Sequence, residues 1–119
     1  MRNKKTKSAT TKVHLTKMKK VCITYNRVQY AYALKLDLDE NVTEIRVNVD
    51  LEGFKYDKYP DRIYTSDFVC TKKNGELMVR ECSERKYIGR PETVKLLDCS
   101  RKYWLSNGVS DWGIVIDAE

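Results

Sequence analysis

The chain has 119 residues, enough for one domain that buries a core without disulfides or structural metal. With 41% hydrophobic and 34% charged residues it reads as a highly soluble protein, and no stretch approaches the ~20 apolar residues of a membrane span. The formal charge of +6 is concentrated at one end: residues 1–20 hold eight basic side chains (Arg2, Lys4, Lys5, Lys7, Lys12, Lys17, Lys19 and Lys20) and no acid, whereas the rest of the chain has 15 basic residues against 17 acidic.

The predicted elements follow in chain order. Residues 1–20 are expected to form a flexible basic arm, which would attract phosphate backbones whatever their sequence; a solubilising tail is the plainer alternative. No apolar segment follows these charges, which argues against a secretory signal. A single domain is expected over 21–119. Asn26 is a suitable N-cap, and Val28, Tyr32 and Leu36 recur at helical spacing, so a helix is predicted over about 26–37. Ile45, Val47, Val49 and Leu51 alternate with Glu44, Arg46, Asn48 and Asp50, the period of a half-buried strand. Residues 54–61 read as a loop or ragged strand. Two strands, 65–70 and 77–83, flank Asn74-Gly75, a strong hairpin signal.

Pro91 fits the first turn of a second helix that Asn107-Gly108 ends. Val94, Leu97, Arg101 and Trp104 share one stripe of it, and its aromatic residues read most simply as core. Residues 112–116 form a last apolar strand. The order arm–α–β–β–β–α–β defines a small α/β or α+β domain.

The four cysteines (Cys22, Cys70, Cys82, Cys99) form no C-x-x-C pair and His14 is the only histidine, so a zinc site is not expected. Reduced, mostly buried thiols are. The chemistry-bearing pair is Asp67 and Glu81, which the hairpin can bring together. Two close carboxylates are what a Mg²⁺ ion needs to activate water against a phosphodiester, although two acids flanking a hairpin commonly face solvent.

Three segments carry a resemblance: residues 37–46 (Asp-Leu-Asp-Glu-Asn-Val-Thr-Glu-Ile-Arg), residues 65–69 (Thr-Ser-Asp-Phe-Val), and Lys95-Leu96 through Arg101-Lys102-Tyr103-Trp104 with Trp112 and residues 114–116. Together they make Tyr25 to Asp117 resemble the catalytic N-terminal domain of TnsA, the endonuclease subunit of heteromeric cut-and-paste transposons. That group belongs to the restriction-endonuclease-like PD-(D/E)xK nucleases, with phage head-completion nucleases as more distant relatives.

The resemblance implies a mixed central sheet flanked by two helices. It implies Asp67 and Glu81 as ligands of Mg²⁺ or Mn²⁺, double-stranded DNA as substrate, a partner integrase-type transposase, and cuts at the 5′ ends of the transposon. It implies no membrane, no small-molecule substrate, and a cytoplasmic, prokaryotic or phage setting. Two of the four site positions depart from the family: its catalytic Lys falls on Ser83 and its helix Glu on Gln29. Losing the Lys charge removes stabilisation of the transition state, at ~10²–10³ in rate. Gln29 would hold metal more weakly than a carboxylate. The family usually has a further C-terminal helical domain that engages an ATP-dependent regulator, and these residues cover only the nuclease-like part.

Three readings follow. The first is a TnsA-like, DNA-end-binding subunit with impaired catalysis. The second is an active nuclease in which Lys86, or Arg85 if the strand continues past Ser83, replaces the missing charge. The third is a non-catalytic nucleic-acid-binding protein whose arm supplies the affinity.

Overall fold

Asn26 starts the first helix as its residue type predicts: its side chain accepts a hydrogen bond from the Gln29 N–H, and α1 runs Arg27–Asp37. The structure, a computed structural model, describes residues 2–3, 10–18, 21–54 and 63–117. It is an α+β arrangement in which four strands form a mixed sheet: β4 (Val42–Asp50), β5 (Tyr64–Lys72), β6 (Leu77–Ser83) and β7 (Asp111–Ile116) lie side by side in that order. β4, β5 and β6 run antiparallel, and β7 lies parallel to β6. A parallel neighbour needs a crossover, supplied by α2 (Pro91–Ser106) with Pro91 in its first turn.

The β5–β6 turn uses the Asn-Gly signal differently from a two-residue loop. Gly75 alone takes a positive φ (86°), and its N–H bonds to Lys72 O while Lys72 N–H bonds to Glu76 O. This is a type I turn closed by a left-handed glycine, the three-residue solution.

The sheet is covered on both faces. On one, Val28, Ala33 and Leu36 of α1 pack with Ile45, Phe68, Cys70, Met78 and Cys82. On the other, Trp104 packs with Leu51, Val69, Val79 and Val109. Along α2 the buried residues are Leu97, Ser100 and Trp104, whereas Val94 is exposed, so the predicted stripe is displaced around the helix.

β4 departs further from its sequence pattern. The apolar alternation is unbroken from Ile45 to Leu51, yet Ile45 and Val47 pack in the first core and Val49 and Leu51 in the second. The switch occurs at Asn48, whose φ is 55°. Its side chain helps hold this left-handed conformation, since Nδ2 donates to Ile23 O and Oδ1 accepts from Gln29.

Residues 11–18 correct the expectation of a flexible arm. β2 (Thr11–His14) pairs with β3 (Val21–Thr24) in an antiparallel hairpin, and Val13 and Leu15 are buried against α1. Asp37 accepts hydrogen bonds from the backbone of Thr16 and Lys17 and from the Thr16 hydroxyl. The Lys17 ammonium donates to Leu36 O and Asp39 O at the C-terminal end of α1, where a cation is favoured. Arg2–Asn3 form a short β1 that pairs with residues 64–65 of β5.

Candidate functional site

β5 and β6 pair backbone to backbone from Thr71↔Leu77 to Phe68↔Arg80. Beyond that point their side chains link them. The Asp67 N–H donates to Glu81 Oε1 at 2.9 Å, and the Cys82 N–H donates to Asp67 Oδ2 at 2.6 Å. β6 continues on its other edge, with Glu81↔Ile114 and Ser83↔Ile116. β1 takes up the edge of β5 at Thr65, since β4 holds the opposite edge there. Asn48, at the level of Asp67, is the residue where β4 changes face.

Asp67 and Glu81 therefore come together, but they do not share an opening. Glu81 is fully buried, and Oε2 accepts from the hydroxyls of Ser66 and Ser100 while Oε1 accepts from Asp67 N–H. Behind the serines stand two indoles: Trp104 Nε1 donates to Ser66 Oγ at 2.8 Å and Trp112 Nε1 to Ser100 Oγ at 3.1 Å. A carboxylate this engaged is held by donors on both oxygens, which satisfies its burial.

Asp67 lies 2% exposed at the edge of a cavity of about 670 Å³. The lead-in and first turn of α1 wall it on one side (Tyr25, Asn26, Arg27, Tyr30), and the end of β6 and the turn after it on another (Cys82, Ser83, Glu84, Tyr87). Thr93, Leu96 and Leu97 of α2 complete it with Thr11. At its rim Arg27 bridges Glu84 and Asp117. The Asp117 carboxyl is held below the usual carboxylate range by the Arg85 N–H, aided by the charges of Arg27 and Arg85. Burial, with the Asp67 and Glu81 charges adding to it, pushes the Cys82 thiol well up, so it stays protonated and is a poor nucleophile.

The other expected site residues fall as follows. Ser83 lines the cavity, its hydroxyl donating to Glu84 O. Gln29 is fully buried behind the cavity wall: Oε1 accepts from Tyr25 N–H, and Nε2 donates to Asn48 Oδ1 at 2.8 Å and to Asp67 O at 3.4 Å. It ties α1 to both strands at the level of Asp67. β6 ends at Ser83, so the strand does not carry Arg85 to the Asp67 side; a 3-10 turn takes over at Arg85–Tyr87. The Arg85 guanidinium donates to Asp117 O, and exposed Lys86 lies 5.1 Å from the Tyr87 ring centre.

Of the eight arm residues, Lys12 is exposed on β2, Lys17 is taken up in capping α1, and Arg2 lies in β1; Lys4, Lys5, Lys7, Lys19 and Lys20 fall outside the described residues. The sequence did not mark Ser66, Ser100, Trp112 or Asn48 as site residues, although Ser66 and Trp112 lie in segments that carry the resemblance. A serine at position 100, between Leu97 and Trp104 on the buried stripe, was the available sign of a buried polar partner.

These donors do not fit a Mg²⁺ ion shared by Asp67 and Glu81 as arranged. Both Glu81 oxygens are engaged inside the protein, and Asp67 alone of the two faces the cavity. Among the described residues no group of three or more His, Cys, Asp and Glu side chains is placed to hold a metal. Nor, among them, is any helix long and apolar enough to cross a membrane. No protein-family model matches the chain, and no curated protein matches it in sequence.

Proposed function

We propose that this chain is a nuclease-fold protein of the TnsA-like kind that binds double-stranded DNA at transposon ends and cuts it weakly or not at all. The observation that carries this reading is the position of Asp67: it faces a cavity where β5 and β6 part, between the starts of two helices on opposite sheet faces. The order α1–β4–β5–β6–α2–β7, three antiparallel strands and a parallel fourth, supports a restriction-endonuclease-like core. In such a core Asp67 is the retained acid. Ser83 lacks the charge that would stabilise the developing phosphorane, and Glu81 serves the interior. A partner transposase would then supply the other strand's cuts. The expected setting is cytoplasmic.

The test is a nicking assay on end-containing duplex DNA with Mg²⁺ or Mn²⁺, alongside a binding measurement. The unmodified chain should bind, with an affinity that falls as salt rises, and nick little. Ser83→Lys should raise nicking because its ammonium would enter the cavity that Asp67 faces, and Asp67→Asn should abolish that gain. Gln29→Glu is not expected to help: its second oxygen would replace the donor to Asn48 Oδ1 and Asp67 O. Absence of DNA binding would overturn the reading. Robust cutting by the unmodified chain, lost in Lys86→Ala, would establish instead an active site that uses the migrated lysine.

A further inference from the structure

The cavity beside Asp67 has a shape and lining that phosphodiester chemistry alone does not require. Its volume, about 670 Å³, is that of a small-molecule site and far too small for a duplex. Its wall is mostly apolar, and Tyr25, Tyr30 and Leu97 contribute to it. Charges of both signs stand at the mouth. Arg27 has 70% of its side chain exposed but is bridged to Glu84 and Asp117, whereas Lys86 and Arg90, 5.1 and 4.4 Å from the ring centre of the wall residue Tyr87, form no ion pair among the described residues. The start of α1 also opens there with no acidic residue in its first turn, which favours an anion. An apolar, aromatic interior with these two cations beside one wall is complementary to one nucleotide: a flat base inside and its phosphate outside.

We infer that the cavity takes a single unpaired nucleotide of a DNA strand, its base against Tyr30 and Tyr25 and its phosphate towards Lys86 and Arg90. This rests on the DNA-binding reading above and narrows it, because a fully paired end presents no free base. The protein would select ends that are frayed, or would draw one nucleotide out of the stack, which costs least at a terminus.

The experiment compares three ligands at one fixed salt concentration: a blunt duplex, the same duplex with one unpaired 3′ or 5′ 2-aminopurine, and free deoxyadenosine monophosphate. Anisotropy gives the affinities and 2-aminopurine emission reports stacking. The unpaired end should bind about tenfold tighter than the blunt one, the range expected for one stacked base, with its emission quenched. Tyr30→Ala should bring that ratio close to one, and Tyr30→Phe should keep it. Duplex binding without the preference and without quenching would overturn this inference and leave the DNA-binding reading standing. Failure to bind any DNA would remove both. Free nucleotide binding as tightly as the unpaired end would assign the cavity to a mononucleotide and overturn the strand-end assignment. The quenching measurement uses the unmodified chain, so a variant that fails to fold does not leave the question open.

Discussion

The two ends of the β5–β6 hairpin are built on different principles. From Phe68 to Thr71 the strands pair by backbone, and their side chains divide regularly between the cores, Phe68 and Cys70 to one and Val69 to the other. From Asp67 outward carboxylates stand in for backbone acceptors, and Ser66 turns to Trp104 in the second core only two residues from Phe68 in the first. The regular end is held by many small, replaceable contacts. The parted end is held by a few polar ones, each of which leaves a buried group unsatisfied when removed. An opening at the end of a sheet needs a separate set of bonds to keep it from collapsing or fraying.

The largest effect is expected from Glu81→Ala, at the parted end. Two serine hydroxyls and the Asp67 N–H would lose their acceptor, at about 1–3 kcal/mol each, so urea denaturation should show a loss of about 3–5 kcal/mol. A loss below about 1 kcal/mol would mean that the parted end is no more dependent on its polar bonds than the regular end. Glu81→Gln keeps an acceptor for Asp67 N–H and should lose roughly half as much.

Asn48→Ala comes next. It removes two hydrogen bonds and puts alanine at a left-handed φ, for about 2–3 kcal/mol. Asn48→Gly relieves the backbone part, so the difference between the two variants in the same titration measures the strain less the entropy that glycine adds to the unfolded chain.

Asp67→Asn should change stability by under about 1 kcal/mol, because an amide oxygen can still accept from Cys82 N–H. It should nevertheless suppress any metal-dependent nicking gained by Ser83→Lys. A large destabilisation would make Asp67 a structural residue like its neighbour.

The smallest effect belongs to the regular end. The Lys72 ammonium first, and then the Arg80 guanidinium, hold the Asp111 carboxyl below its usual range against the opposing effect of burial. A depressed folded pKa gives stability that is present above the unfolded value, about 4, and is lost as pH falls through the folded value. Asp111→Asn should therefore cost up to about 1 kcal/mol at neutral pH. The difference from the unmodified chain should vanish in strong acid when thermal unfolding is followed against pH.

Local pattern made most elements legible. Asn26 and the four-residue spacing marked α1, Asn74-Gly75 marked the hairpin, and Pro91 with Asn107 bounded α2. The β2–β3 hairpin was hidden because eight basic residues dominate the first twenty, although Val13 and Leu15 alternate with Lys12 and His14. The change of face at Asn48 leaves no trace in β4, since its apolar alternation is perfect on either side. The pairing of Asp67 with Glu81 was readable from the hairpin. The engagement of Glu81 by Ser66 and Ser100 was not, because those partners come from another strand position and from a helix.

One feature of the interior gives the protein a built-in signal. Trp104 and Trp112 are its only tryptophans, and both donate their indole N–H to serines bound to Glu81. Excited indoles respond to nearby charge and hydrogen bonding, so the indole emission of the unlabelled protein reports on the surroundings of that one carboxylate. A shift in colour or intensity would reveal rearrangement behind the cavity without dye, tag or substitution.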